Sequence, residues 1–214
     1  MKIDMNHIAL VGDSILDNGP YVARGEAVID HLRRALPNRA KATLVAVDGS
    51  TILGVKDQVA RLPNGITHIV VSTGGNDALG HQDFLRGEAN SVSQVLRHLA
   101  EIGEDFERRY DDMLRAVLRE KIPTTVCTIY YPNFPDPIFQ RLAVTASSIF
   151  NDVILRVAFR AGVPVMDLRL VFDEPGDYAN PIEPSSTGGR KIVESLLRVL
   201  AHHDFSRKRS AVYL

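Results

Sequence analysis

With 214 residues, 45% hydrophobic and 24% charged, the chain has the balance of an ordinary globular domain, and nothing in it reads as disordered. Its 25 Lys and Arg against 26 Asp and Glu leave a formal charge of -1, which excludes the broad basic field that non-specific nucleic-acid binding relies on. A lone cysteine, Cys127, excludes an intramolecular disulfide and reads as a small buried thiol. The first apolar stretch, Ile8 to Val11, is too short for a signal-peptide core and no later run approaches a membrane span, so a cytoplasmic protein without a membrane partner is expected.

In chain order, β-branched runs at His7 to Val11, Thr43 to Val47, Thr67 to Ser72, Thr124 to Ile129 and Val163 to Met166 read as strands. Between them lie stripes of helical period. Val22, Ile29, Leu32 and Leu36 mark the first, and Val92 through Leu99, Phe106, Met113 and Val117 a long second. Leu142, Ile149, Val153 and Val157 mark a third, and Ile192, Val193, Leu196 and Leu200 the last. Arg207-Lys208-Arg209 closes the chain as a solvated basic tail. Strands alternating with crossover helices give one domain, residues 1–214, built as a three-layer α/β/α sandwich on a doubly wound parallel sheet. In such a sheet ligands bind beyond the carboxyl ends of the strands, so function belongs in the loops that follow them.

Three of those loops carry polar residues suited to acyl transfer. The first is Gly12-Asp13-Ser14, where a glycine permits a tight turn and a hydroxyl is presented as the strand ends. From this segment alone, Ser14 reads equally as a nucleophile or as a helix cap. The second loop is Asp48-Gly49-Ser50 and the third Gly74-Gly75-Asn76-Asp77, each an ordinary turn signal taken singly. Together they converge on one sheet edge. Ser14 then supplies a nucleophile, while the Gly49 N–H and the Asn76 side-chain amide supply donors for an oxyanion. Asp13 is read as holding the Ser14 turn.

At these motifs, and through nearly the whole chain, the sequence resembles the SGNH (GDSL-type) hydrolases. The resemblance implies a flavodoxin-like α/β/α sandwich and no metal or organic cofactor. It implies hydrolysis of carboxylic esters, thioesters or O-acetyl groups of a small-molecule substrate, with Ser14 as nucleophile and Gly49 and Asn76 completing the oxyanion hole. One block departs from the family pattern. Where an Asp, two residues and a His are usual before the final helix, this chain has Asn180-Pro181-Ile182-Glu183.

Glu183 can itself accept the Ser14 proton. Reference pKa values of about 4.3 for Glu and about 6.5 for His correspond to roughly 3 kcal/mol less driving force for that transfer. Burial raises a carboxyl and narrows the deficit. The competing role for Glu183 is a carboxylate favoured at the N-terminal end of the last helix. Asn180 orients Glu183, contacts substrate or shapes the turn, and Asp177 is a second orienting candidate. Of the histidines, His81 follows the Asn76 loop and stands nearest to a substitute base, with a solvated ion pair to Asp77 as its alternative.

Three functions follow: a serine esterase, a binding module that kept the fold and lost catalysis with the histidine, and an anion binder at the first strand-to-helix turn. The last lacks a Gly-x-Gly-x-x-Gly run and a Gly-Lys-Ser/Thr ending. Phe84, Tyr131, Phe134 and Phe139 lie near post-strand loops, as an acyl pocket or as ordinary packing.

Overall fold

The structure is a computed structural model that describes residues 6–214. Eight strands and seven α-helices follow one another as β1 (His7–Gly12), α1 (Val28–Ala35), β2 (Lys41–Leu44), α2 (Val55–Ala60), β3 (His68–Ser72), α3 (Gly75–Leu79) and α4 (Val92–Leu118). They continue as β4 (Thr124–Cys127), α5 (Pro137–Ala161), β5 (Val165–Met166), α6 (Leu168–Val171), β6 (Tyr178–Asn180), β7 (Glu183–Pro184), α7 (Ser186–His202) and β8 (Val212–Tyr213). Strand order in the main sheet is β2-β1-β3-β4-β5-β8, parallel throughout, while β6 and β7 form a small antiparallel hairpin. This is the doubly wound order, with its switch point between β1 and β3.

Strands buried on both faces explain the continuous apolar runs of β1 and β3. One face of the sheet packs against α2, α4 and α5, where Phe106, Tyr110, Met113, Phe150 and Ile154 are buried together. The other face packs against α1 and α7, through Ile29, Leu32, Ile192, Leu196 and Val199.

Several strands stop short of their apolar runs because other donors and acceptors take over. After Leu44 both the Val45 and Ala46 N–H groups donate to the Leu10 carbonyl at 2.9 Å, which breaks the one-to-one ladder. The backbone of Ile129 is claimed by Asn151, whose side chain accepts from its N–H and donates to its carbonyl, both at 2.8 Å.

Helix limits differ from the stripes as well. Val22 lies outside α1, and α4 spans 27 residues, about 40 Å at 1.5 Å per residue, so it overruns the short strands. Its first turns stand clear of the core, with Val92 76% exposed. The chain after the exposed Arg207-Lys208-Arg209 returns as β8 beside β5, an edge strand too short to show periodicity. Contrary to the expectation that no run approaches a membrane span, α5 is by length and composition long and apolar enough to do so. In this fold that composition serves the contact with α4, where Phe150 meets Phe106 edge to face.

Candidate active site

The nucleophile turn is set by a glycine that nothing can replace. Gly12 has φ of 133°, and a Cβ there would lie 1.6 Å from the Ser72 carbonyl oxygen, so the end of β1 lies directly against the end of β3. Gln58 of α2 locks this approach, accepting from the Gly12 N–H at 2.7 Å and donating to its carbonyl at 2.8 Å. The chain then turns over Asp13, whose carbonyl accepts from Leu16 and Asp17 and whose Oδ1 accepts from Ile15 N–H at 3.2 Å.

Ser14 sits in that turn and caps no helix, since the next α-helix begins at Val28. Its buried Oγ donates to Glu183 Oε1 at 3.1 Å, across 169 residues of sequence. Glu183 lies on β7, ahead of the last helix, and the cap of α7 is Ser185, whose Oγ accepts from Gly188 N–H at 3.2 Å. The hairpin that presents Glu183 is pinned on two sides. Asn18 Nδ2 donates to the Pro184 carbonyl at 3.2 Å, and the Tyr130 hydroxyl donates to the Ile182 carbonyl at 2.6 Å.

Burial pushes the Glu183 carboxyl up from the ordinary range to about 7, reinforced by the charge of Asp48 and opposed by the Ser14 hydrogen bond. A carboxyl at that value has the basicity of a histidine, which removes the handicap expected from reference values. Its Oε2 has no partner among the described residues.

The second loop is held between the first and the third. Asp48 N–H donates to Asp17 Oδ2 at 3.0 Å, the Tyr21 hydroxyl donates to the Asp48 carboxylate, and Asn76 Nδ2 donates to the Ser50 carbonyl at 2.8 Å. Gly49 lies between these anchors in a left-handed corner, φ 76°, of a turn closed by Ser50 N–H to the Val47 carbonyl. An amide nitrogen carries two hydrogens, so the bond to Ser50 leaves one Asn76 N–H for a ligand. Asp77 does not pair with His81: it accepts from Ile52 N–H at 3.0 Å and holds Arg109 of α4 at 2.7 Å.

Ser14, Asn76 and Glu183 open together onto one cavity of about 110 Å³, which continues between the segment Gln82–Arg86 and helices α4 and α5. Phe84, Phe134 and Phe139 line it, but Tyr131 does not. Its neighbour Tyr130 takes that place, while the Tyr131 carbonyl accepts from the Tyr178 hydroxyl at 2.7 Å. His81 also faces the cavity, stacked on Phe150 with ring centroids 6.3 Å apart, and makes no hydrogen bond to Ser14 among the described residues.

Asn180 is exposed and acts on the backbone. Its Oδ1 accepts from the N–H groups of Ile182 and Glu183, both at 3.0 Å, so it shapes the turn and leaves the Glu183 carboxylate untouched. Asp177 is engaged elsewhere, accepting from Asp173 N–H, Glu174 N–H and Lys191. Asn18 and Gln58 have no motif to mark them. Their only signal in the sequence is a polar residue where an apolar one would bury well, and the tertiary contacts supply the meaning.

Asp13 does more than hold a turn. It is 1% exposed, its Oδ2 has no partner among the described residues, and the charges acting on it are the carboxylates of Glu183 and Asp77. Burial, aided by those charges, pushes it up to about 8. A carboxyl raised in the folded state lends stability that is present below its unfolded value of about 3.9 and is lost as pH rises through the folded one. Asp13→Asn is therefore expected to shrink the loss of melting temperature between pH 5 and pH 9. An undiminished loss would place the titrating proton on another group.

The model of the GDSL-like lipase/acylhydrolase family matches residues 10–191. No curated protein matches this chain in sequence. Similar solved structures include a lipase from a goat rumen metagenome, 19% identical over 94% of this chain and 99% of that one, with a TM-score of 0.69. Others are a phospholipase A1 from Streptomyces albidoflavus, 16% identical over 88% and 97% with a TM-score of 0.65, and an acetyl xylan esterase, 16% identical over 90% and 98% with a TM-score of 0.63. At such identities the likeness shows the fold alone.

Proposed function

The chain belongs to the GDSL-like lipase/acylhydrolase family, and from that premise we propose that it hydrolyses carboxylic esters through an acyl-enzyme on Ser14, with Glu183 as the base. The observation that carries this reading is the buried hydrogen bond from Ser14 Oγ to Glu183 Oε1, at the mouth of a cavity that also receives Asn76.

In the first half-reaction Ser14 Oγ attacks the ester carbonyl carbon and its proton passes to Glu183. The carbonyl oxygen takes up the negative charge and accepts from the Gly49 N–H and the free Asn76 N–H. The tetrahedral adduct collapses, the alcohol leaves with the proton from Glu183, and an acyl ester remains on Ser14. Water then attacks that ester and gives a proton to Glu183. Collapse releases the carboxylic acid and returns the proton to Ser14.

This dyad moves a charge that already exists. A histidine base would turn positive as the oxyanion turns negative, whereas Glu183 turns neutral. In a buried site the transfer of one charge avoids creating an ion pair, so no third residue is needed to select a tautomer or balance an imidazolium. The hydrogen bond from the Ser14 hydroxyl to a buried carboxyl supports this reading over a binding module that had lost catalysis.

The test is labelling. An alkyl organophosphonate is expected to add one covalent mass to Ser14, because only an activated nucleophile displaces its leaving group. No adduct, together with no Ser14-dependent hydrolysis of aryl esters, would reduce the protein to a binder. Asn76→Ala is expected to lower turnover by roughly 10²–10³, the size seen when one oxyanion donor is lost. Normal turnover in a folded Asn76→Ala protein would remove the amide from the mechanism.

A further inference from the structure

The cavity beyond Ser14 has a chemistry of its own. Along α5 the residues that line it follow one helical face, Phe139, Ala143, Ala146 and Phe150, so two small side chains lie between two aromatic ones. Across from them stand Leu99 and Ile102 of α4, on turns of that helix facing α5. Leucines at 143 and 146 would fill this space as ordinary helix packing; alanines leave it open.

The one hydroxyl on this face is spent, since Ser147 Oγ donates to the Val144 carbonyl at 2.8 Å. Beyond the end that holds Ser14, Asn76 and Glu183, α4 and α5 contribute hydrocarbon walls, while His81 and Gln82 are the polar side chains on the chain facing them. A polar acyl group held between the two helices would leave its own donors unpaired.

We infer that this cavity is an acyl site for an aliphatic chain of medium length, entered tail-first between α4 and α5, and that Ala143 and Ala146 set how far the chain reaches. The inference rests on the ester-hydrolase reading for its kinetic consequence and on the cavity alone for binding. Each methylene that leaves water for such walls strengthens binding by about fourfold. Chains grow in affinity until the space between Phe139 and Phe150 is full, then stop gaining.

The test is a series of p-nitrophenyl esters from acetate to decanoate, with two readouts. With the parent protein, kcat/KM is expected to rise by roughly 10² from acetate to hexanoate, at about fourfold per added methylene, and then level off. With the Ser14→Ala protein, which keeps the cavity, calorimetric Kd values for the same esters are expected to fall over the same carbons. Ala146→Leu is expected to bring the hexanoate-to-acetate ratio of kcat/KM from roughly 10² down to near one, and Ala143→Leu to move the plateau to a shorter chain. A flat or falling series in both readouts on the folded parent and Ser14→Ala proteins overturns the acyl site even where Ser14 is labelled and acetate is hydrolysed. A rising affinity series with no turnover and no Ser14 labelling supports the site and overturns the ester-hydrolase reading instead.

Discussion

Glu183→Gln is expected to lower turnover by roughly 10²–10⁴, the usual worth of a general base. The substitution preserves shape and can still meet Ser14 Oγ, but an amide cannot take up its proton. The pH profile gives a second readout. Glu183 must be ionised to act, so kcat/KM of the parent is expected to fall as pH drops through about 7, well above the ordinary carboxylate range. That acidic limb is expected to vanish in Glu183→Gln. Restoring a histidine, with Asn180→Asp beside it, is expected to recover activity with a limb near about 6.5, close to the parent's.

Stability separates this role from helix capping. The protonated form of Glu183 is favoured by burial, so the stability it lends is present below the unfolded value near 4.3 and lost as pH rises through about 7. Glu183→Gln is therefore expected to melt higher than the parent at pH 8, with the difference shrinking toward pH 5. A capping carboxylate predicts the reverse, a variant that melts lower at pH 8 and turns over normally.

Ser14→Ala is expected to cost more, about 10⁴–10⁶ in turnover, because it removes the covalent step itself. What remains would come from the oxyanion donors acting on direct attack by water. The two substitutions address one proton transfer, so their effects are expected not to add: Ser14→Ala with Glu183→Gln should be no slower than Ser14→Ala. Additive losses would mean that Glu183 works on something other than the Ser14 hydroxyl. Esterase activity equal to the parent's in folded Ser14→Ala would end the acyl-enzyme mechanism.

The legible part of the site lay in local rules. Gly12 and Ser14 were readable because a strand that ends in a tight turn needs a residue without a Cβ, and the contact between Gly12 and the Ser72 carbonyl is the physical form of that need. Asn76 was readable as a polar residue of a post-strand loop, and there one of its amide hydrogens holds the Ser50 carbonyl. Of the three roles open to Asn180 the structure shows the turn-shaping one, a choice the sequence could not make because the side chain reaches backbone N–H groups, which carry no sequence signature.

By itself the sequence determined the parallel α/β layering, the loops that carry Ser14, Gly49 and Asn76, and the register that puts Glu183 where a histidine is usual. The layering and the loops follow from periodicity and turn chemistry, which act over a few residues, while the register follows from the resemblance to the SGNH hydrolases. Tertiary structure alone decided what Glu183 is. The Asn18 and Tyr130 tethers bring its carboxyl to Ser14, and burial lifts it to the basicity of a histidine. Proton affinity is a property of surroundings: it depends on how much water and which charges remain near the group once residues 169 positions apart have met. The same holds for the cavity, which exists because α4 and α5 meet with alanines between them, a fact of packing that neither helix contains alone.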